Sequence, residues 1–404
     1  MNLPTKHLPL LGALVLAASC VDMDDATTVT TLVVQVQQPA DFVQATSLAG
    51  KIVSLQLGGQ TLSAQTDETG RATFQNVTPD VYTLSTTWTL TGAEYAAATG
   101  TAESVSGATV SGSLNSVLVT GQPLTLATSA SPDRDIVIGK VYYAGSRDRN
   151  NRNYMAGKYI ELYNQSDEGV DVSGLYIGLL EAESTPAYTL TNLRDERADS
   201  VVLLKQLFRI PADAPHLVAP GSTVVLCNSA IDHRPNASQE PDLSGADFEA
   251  KDVRGSYQNN PATPALEVVY NMYAGTSIMN LVQSGPVGIV IFRTEEDVTQ
   301  WERVYRYGKT AGSQWLLCPV RLVLDGMEAL ANKPAGFDLA TKRLYDRIDA
   351  GYTYINATAG WNGEAVYRKT QKRAAAGHAI LTDTNNSTND FQTSTTIQPR
   401  EYDQ

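Results

Sequence analysis

The chain has 404 residues, with 43 acidic and 30 basic side chains and a formal net charge of −13. Because affinity for nucleic acid depends on Lys and Arg side chains that neutralise phosphates, this charge argues against a nucleic-acid partner. The length predicts two or three domains. The composition, with 30 glycines, 18 prolines and 19 tyrosines, favours strands and turns over long helices.

The first nineteen residues predict a signal peptide. Lys6 precedes an apolar run over residues 8–18, which is too short to span a bilayer. The run ends in Leu16-Ala17-Ala18-Ser19-Cys20. This segment resembles the lipobox of bacterial lipoproteins, although Ala17 stands where leucine is usual. The resemblance implies removal of residues 1–19 and a diacylglycerol on the thiol of Cys20. The alternative is an ordinary signal peptide followed by a chance cysteine.

Residues 20–30 are predicted to be an acidic tether that contains Asp22, Asp24 and Asp25. Acidic residues just after the lipidated cysteine resemble the surface-export signal of lipoproteins in Bacteroidota. The resemblance implies a protein that is lipid-anchored in the outer membrane and faces the cell exterior. The alternative is a solvated linker without a sorting role.

Residues 31–127 are predicted to form a first β-domain. Residues 31–36 and 51–57 alternate apolar and polar side chains, as strands with one buried face do. The pattern Thr66-Asp67-x-x-Gly70-x-Ala72-x-Phe74-x-Asn76-Val77-x-Pro79-x-x-Tyr82 resembles the prealbumin-like fold of carboxypeptidase regulatory domains, with Asp80 where glycine is usual. The resemblance implies a small β-sandwich that serves as a spacer or docking module and brings no catalytic residue.

Residues 128–135 form a predicted polar linker, and residues 136–404 a second domain. Residues 159–164, Tyr-Ile-Glu-Leu-Tyr-Asn, are followed by a turn and by Val-Asp-Val-Ser-Gly at 170–174. This order resembles the lamin-tail domain, which implies an immunoglobulin-like sandwich. On that pattern, residues 181–215 and 228–280 are two long insertions. The predicted fold class is therefore mainly β, with two consecutive β-sandwiches.

Three segments resemble a Bacteroidota lipoprotein family of unknown function. They are residues 242–249, 349–353 and 383–391, of which the first reads Asp-Leu-Ser-Gly-Ala-Asp-Phe-Glu. The resemblance implies a surface lipoprotein that works beside a TonB-dependent outer-membrane transporter. It carries no catalytic residues.

The sequence contains no recognisable catalytic motif, zinc-hydrolase spacing or phosphate-binding loop, and no cofactor is predicted. The best candidate for a metal site is Asp232 with His233 and Asp247, since an imidazole beside carboxylates can bind a divalent cation. The alternative is a polar turn followed by a surface loop.

Other candidate residues fall outside this group. Arg147, Arg149 and Arg152, with Tyr154, form a candidate binding loop for an anionic ligand, or else a solvated tip. Cys227 and Cys318 form a disulfide or remain buried thiols, since an oxidising compartment permits the bond. Ser200 lies in a short match to the O-glycosylation motif of Bacteroidota.

The predicted function is that of a non-enzymatic binding or accessory component at the cell surface. Two alternatives remain open at the level of sequence. One is a hydrolase of a surface polymer, whose paired carboxylates come from distant loops. The other is a structural adhesin or spacer, which predicts no deep pocket.

Overall fold

The structure is a computed structural model that describes residues 29–57, 60–100, 105, 107–132, 134–181 and 189–402. The predicted signal peptide, Cys20 and the tether up to residue 28 lie outside the described residues. None of the helices in the described part of the chain has the length and apolar character needed to cross a membrane. The chain is mainly β with several sheets, as the sequence predicts, and it divides into two units.

The first unit comprises the chain up to Val36 together with Leu48–Ser85 and Ser113–Leu126. Its strands are β1 (Thr30–Val36), β2 (Ile52–Leu57), β3 (Gln60–Gln65), β4 (Arg71–Val77), β5 (Val81–Thr91), β6 (Gly107–Leu118) and β7 (Leu124–Leu126), of which β5 and β6 continue into the second unit. One sheet has the order β4-β1-β7, and in another β3, β2, β5 and β6 follow one another. Leu32, Val34 and Val36 are buried and alternate along β1 with the partly exposed Val33 and Gln35, which is the periodicity of a strand with one buried face.

The predicted turn at residues 66–70 is present in this unit. One carboxylate oxygen of Asp67 accepts hydrogen bonds from the backbone N–H groups of Thr69 at 2.8 Å and Arg71 at 3.0 Å. Gly70 has a φ of +79°, a conformation that glycine adopts without steric cost. Residues 66–70 therefore form a turn that leads into β4, as expected from the residue types.

The second unit comprises Gln37–Ser47, Thr86–Gly112 and Ala127–Gln404. Two segments of the predicted first domain thus belong to this unit, and the predicted linker at 128–135 contains a strand. Its helices are α1 (Gly92–Thr99), α2 (Leu190–Arg197), α3 (Asp346–Asp349) and α4 (Ser387–Asp390). Its strands are β8 (Ser129–Pro132), β9 (Ile136–Tyr142), β10 (Ser146–Arg147), β11 (Asn153–Tyr154), β12 (Tyr159–Asn164), β13 (Val170–Asp171), β14 (Tyr176–Leu180), β15 (Val201–Arg209), β16 (Leu217–Val218), β17 (Thr223–Cys227), β18 (Phe248–Glu249), β19 (Glu267–Asn271), β20 (Val287–Phe292), β21 (Arg303–Tyr305), β22 (Gln314–Pro319), β23 (Val323–Ala329), β24 (Asn332–Lys333), β25 (Gly336–Phe337), β26 (Ala365–Arg368), β27 (Thr370–Arg373), β28 (Ala379–Leu381) and β29 (Phe391–Ser394).

Two large sheets form the core of the second unit. One has the strand order β18-β17-β12-β9-β26-β29, and the other has the order β21-β22-β15-β14-β20-β23 with β19 beside β15. Ile138 and Leu162 of the first sheet join Ile177 and Ile289 of the second in one apolar cluster. Every residue of β9, β12 and β20 is buried, so these strands lack the alternation of strands with a solvated face.

The second face of the seven-stranded sheet packs on a separate apolar cluster. Leu204, Val290 and Trp315 of the sheet belong to this cluster together with Leu344 and Ile348, which come from α3 and the segment before it. Both faces of this sheet are thus covered within the chain, which explains why β20 is apolar throughout and why β15 is buried along nearly its whole length.

The predicted insertion at 181–215 is wrong as a description of the fold. It supplies β15, which pairs with β14, β22 and β19 within the seven-stranded sheet. The segment Val201–Arg209 is mostly apolar and is buried from Val202 to Phe208. Its central position in the sheet follows from its pairing partners and not from its sequence. The second predicted insertion, 228–280, contains only the short strands β18 and β19, and its irregular segments build the site described next.

Candidate functional site

A cavity of about 640 Å³ opens in the second unit. Its volume lies within the range of roughly 300–1,000 Å³ that is typical of small-molecule sites. The residues that line this cavity, called here the amide pocket, are uncharged, and they are Asn153, Tyr154, Met155, Ala156, Ser229, Ile231, Asn236, Ser256, Tyr257, Gln258, Gln283 and Trp361. The wall therefore combines aromatic rings with amide and hydroxyl groups.

Two buried carboxylates hold the irregular walls of the amide pocket in place. Glu249, at the end of β18, accepts hydrogen bonds from the backbone N–H groups of Ala230 at 2.6 Å and Asn260 at 3.1 Å. Asp252 accepts from the N–H groups of Ser256 at 2.6 Å and Tyr257 at 2.8 Å. Buried backbone groups without strand partners need such acceptors, so these contacts keep the long segment rigid.

Tyr154 and His233 lie side by side at the pocket wall. The Tyr154 hydroxyl is 2.7 Å from Nδ1 of His233, and Nε2 of His233 is 2.8 Å from the Ser229 carbonyl oxygen. A carbonyl oxygen only accepts, so Nε2 carries the proton of the neutral ring and Nδ1 accepts from Tyr154. The amide of Asn236 in turn donates to the Tyr154 hydroxyl at 3.3 Å. His233 and Asn236 therefore fix the direction of the Tyr154 hydroxyl.

Burial keeps His233 and Tyr154 neutral. It lowers the pKa of His233 below that of an exposed histidine, and it raises the pKa of Tyr154 above that of an exposed tyrosine. Removal from water disfavours the charged form of either group. The wall of the amide pocket therefore presents no formal charge near Tyr154 at neutral pH.

An acid and a base lie buried behind this wall. Glu240 is 1 % exposed and accepts a hydrogen bond from the Tyr142 hydroxyl at 2.7 Å. Burial raises the pKa of Glu240 to about 7. Lys158 is 3 % exposed and donates to the Leu281 carbonyl at 2.7 Å, and burial lowers its pKa to about 7. Both groups therefore titrate close to neutral pH.

Trp361 is held in the pocket wall by a strained loop. Its φ is +65°, a left-handed conformation that costs a bulky residue on the order of 1–3 kcal/mol. The N–H of Trp361 donates to the Ala144 carbonyl at 2.9 Å, and the N–H of Gly363 donates to the Gly145 carbonyl at 3.0 Å. These two bonds anchor the loop, and strain of this kind is found where a structure must present a particular side chain.

The predicted metal site is not formed. Both ring nitrogens of His233 are engaged as described above, Asp232 pairs with Arg234 at 2.8 Å, and Asp247 pairs with Arg400 at 3.0 Å. Within the described ranges, no cluster of three or more His, Cys, Asp or Glu side chains is placed to hold a metal ion. The sequence placed these residues together because they are close along the chain, but their side chains have separate partners.

The predicted arginine loop is a hairpin of β10 and β11 closed by Asp148, which accepts from the backbone N–H groups of Asn150 and Arg152 at 2.8 Å. The guanidinium of Arg147 lies 5.9 Å from the ring centroid of Trp361, whereas Arg152 is 3.3 Å from Asp148 and Arg149 is exposed. Tyr154 is the member of the predicted loop that lines the amide pocket. The three arginines share no common partner in the described part of the chain.

The cysteine and glycosylation predictions have different outcomes. Cys227 and Cys318 are free buried thiols, so the disulfide is wrong and the alternative of buried thiols is confirmed. They lie on β17 and β22, which belong to different sheets. Ser200 is exposed between α2 and β15, and its glycosylation stays a prediction.

Several residues of the site were missed from the sequence. Trp361 carried the one local signal that could have been used, an aromatic residue in the loop Gly360-Trp361-Asn362-Gly363. Tyr257, Gln258 and Gln283 lie in irregular segments without periodicity. Glu240 follows a turn and resembles any surface glutamate in the sequence. Their convergence depends on the tertiary fold alone.

The fold and the pocket define a mainly β protein with a small-molecule-sized, uncharged cavity. Residues 219–398 match the model of a family described as a protein of unknown function, DUF4876. A crystal structure of a DUF4876 family protein from Bacteroides thetaiotaomicron is similar over 90 % of this chain and 94 % of that chain, with 20 % sequence identity and a TM-score of 0.56. At this identity the likeness shows a shared fold.

A second solved structure, of a DUF3823 family protein from Parabacteroides merdae, covers 45 % of this chain and 90 % of that chain at 13 % identity. Its TM-score of 0.16 carries no argument about the fold. No curated protein matches the chain. The expected link to a family of unknown function is confirmed for residues 219–398.

Proposed function

We propose that this protein is a non-enzymatic, lipid-anchored lipoprotein of the cell surface that binds a small neutral molecule in the amide pocket. The observation that carries the proposal is the wall of the cavity, where aromatic and amide side chains converge without a formal charge. Tyr154 is already oriented by His233 and Asn236, and such preorganisation reduces the entropy lost on binding.

The pocket favours binding over hydrolysis. None of the residues that line it is a carboxylate, whereas hydrolysis of a glycosidic bond ordinarily requires two at the scissile bond. Glu240 lies behind the wall and is hydrogen-bonded to Tyr142. A spacer or adhesin without a ligand has no use for a cavity of this size.

Binding is tested with a panel of fragments that is balanced between neutral, anionic and cationic molecules. The purified full-length protein is kept in a detergent without a sugar headgroup, and binding is measured by ligand-observed NMR. We expect neutral polar fragments to bind, and Trp361→Ala to remove that binding. Tyr305→Ala, which removes an exposed ring outside the pocket, serves as the control. Preferential binding of charged fragments, or binding that Trp361→Ala leaves intact, would contradict the proposal.

The anchor and the partner are tested separately. We expect labelled palmitate to be incorporated into the wild type and into Cys227→Ala, but not into Cys20→Ala, because only Cys20 lies in the lipobox-like segment. The proposed partner is a TonB-dependent transporter. Affinity purification from detergent-solubilised outer membrane should recover one, and its absence from the eluate would remove the transporter from the proposal.

A further inference from the structure

We infer that the ligand of the amide pocket is a neutral oligosaccharide, with one sugar ring stacked on Trp361. This inference rests on the proposed binding function and names its ligand class. Three properties of the wall support it: an aromatic ring held in place, several side-chain amides, and the lack of charge.

The aromatic component fits the apolar face of a sugar ring. Trp361, Tyr154 and Tyr257 all line the cavity. The face of an aromatic ring carries partial negative charge, and the C–H groups on one face of a pyranose carry partial positive charge. Stacking the two removes apolar surface from water and leaves the sugar hydroxyls at the edge of the ring. The anchored loop of Trp361 presents a ring for this contact at the cost of backbone strain.

The amide component fits the hydroxyl groups. Each Asn or Gln side chain offers one acceptor and two donors side by side, and a vicinal pair of hydroxyls both donates and accepts. Four amides line the cavity, on Asn153, Asn236, Gln258 and Gln283. In the part of the chain that the structure describes, the side-chain amides of Gln258 and Gln283 make no hydrogen bond to another residue.

The charge distribution selects a neutral ligand. An anionic sugar would lose its hydration without meeting a charged side chain among the lining residues. Two cations lie beside the Trp361 ring, and both already have partners within the chain. Lys158 Nζ lies 5.8 Å from the ring centroid and donates to the Leu281 carbonyl. The guanidinium of Arg147 lies 5.9 Å from the centroid and donates to the Asn153 side-chain oxygen. Uronic-acid and sulfated saccharides are therefore disfavoured.

The volume of the cavity and the short strand at its wall restrict the class of ligand further. A cavity of about 640 Å³ suits a drug-sized ligand, which for a carbohydrate is about two or three rings. An extended peptide would pair with an exposed strand edge, but β11 is the strand at the wall and has only two residues. The structure therefore favours a saccharide over a peptide.

The test measures binding of neutral di- and trisaccharides of glucose, mannose, galactose, xylose and N-acetylglucosamine. Galacturonic-acid oligomers, sulfated disaccharides and neutral tripeptides are the comparison sets. Titration calorimetry with the full-length protein gives the affinity, and tryptophan fluorescence reports contact with Trp361. We expect at least one neutral saccharide to bind and every charged counterpart to bind at least tenfold more weakly.

Matched variants separate stacking from general loss of structure. We expect Trp361→Ala to weaken saccharide binding at least tenfold and Trp361→Phe, which keeps a ring, to weaken it less. Gln283→Ala removes one amide and should weaken binding by a smaller factor, whereas Val253→Ala changes a side chain that is 72 % exposed and outside the wall and should have no effect.

Each outcome decides between the two proposals. If tripeptides or non-sugar fragments bind in a manner sensitive to Trp361→Ala while saccharides do not, the saccharide inference fails and the binding function stands. If nothing in either panel binds, both fail. Saccharide binding that is equal in the wild type and Trp361→Ala places the ligand elsewhere and overturns the inference.

Discussion

The guanidinium of Arg368 and the carboxylate of Asp325 form an ion pair at 2.7 Å in which both side chains are 1 % exposed. Arg368 lies on β26 of the six-stranded sheet and Asp325 on β23 of the seven-stranded sheet, so the pair joins the two sheets. Asp383 and Asp390 approach the same guanidinium at 3.3 and 3.2 Å. One arginine therefore serves three buried carboxylates from different parts of the chain.

Arg368→Met should be strongly destabilising. It leaves buried carboxylates without their shared cation, and breaking such a pair typically costs about 3–5 kcal/mol in unfolding free energy. Denaturant unfolding measured by circular dichroism tests this. The control is Arg152→Met, because Arg152 is 74 % exposed and the same substitution there should leave the midpoint unchanged. Equal midpoints for the two variants would show that the buried network is dispensable.

Glu240 and Lys158 should give opposite pH trends in stability. The folded pKa of Glu240, about 7, is raised above its unfolded value, so its ionisation reduces stability as the pH rises from about 4.5 to 7. The folded pKa of Lys158, about 7, is lowered, so protonation reduces stability as the pH falls from about 10.5 to 7. Each effect has a slope of at most about 1.4 kcal/mol per pH unit.

The stabilisation of Glu240→Gln relative to the wild type should therefore grow from pH 5 to pH 7. The stabilisation of Lys158→Met relative to the wild type should shrink from pH 7 to pH 10. Unfolding free energies measured at several pH values test both slopes. A constant difference across pH for either variant would mean that the residue titrates normally in the folded protein.

Gly360→Ala should displace Trp361 from the wall of the amide pocket. Gly360 has a φ of +75°, and a Cβ there would lie 2.2 Å from the Gln283 carbonyl oxygen. Gly363 has a φ of +65°, but its nearest neighbour would be Gln239 at 3.8 Å. Both substitutions place a residue with a Cβ in the left-handed conformation, which destabilises the protein by about 1–2 kcal/mol. Only Gly360→Ala also creates a steric clash, with the Gln283 carbonyl oxygen.

Acrylamide quenching of tryptophan fluorescence measures this displacement. We expect quenching to increase in Gly360→Ala and to stay near the wild-type value in Gly363→Ala. Identical quenching in both variants would show that the loop absorbs the extra methyl group without moving Trp361.

Cys227 and Cys318 should react only after unfolding. Both thiols are buried, and burial raises the pKa of each, which lowers the fraction of reactive thiolate. The Cys20→Ala protein should show no reaction with a thiol reagent at pH 8 in the folded state and two thiols in denaturant. Fewer than two thiols in denaturant would indicate a disulfide.

The local patterns predicted the strands well. Residues 159–164 were expected to form a strand and do so as β12, and the turn at Asp67 and Gly70 is present. These features depend on side-chain alternation and on turn residues that lie next to each other in the chain, so a short window contains the cause. The position of β15 within the sheet was not predictable in this way. A mostly apolar segment looks alike in the sequence whether the strands that pair with it lie nearby or far away along the chain.

The candidate site was predictable only in part. Tyr154 and His233 were each singled out, in two separate candidate sites, and the fold brings them within 2.7 Å of each other. The sequence favoured a metal for His233 because Asp232 is adjacent, yet the carboxylate turns to Arg234.

The sequence by itself thus determined the mainly β class, the position of many strands, and the residue types available to a site. The tertiary structure decided that the thiols stay apart, that Arg368 joins two sheets, and that Trp361 faces the same cavity as Tyr154. The physical reason is that strand formation depends on the local alternation of side chains, whereas a pocket depends on distant segments whose contacts leave no periodic trace in the chain.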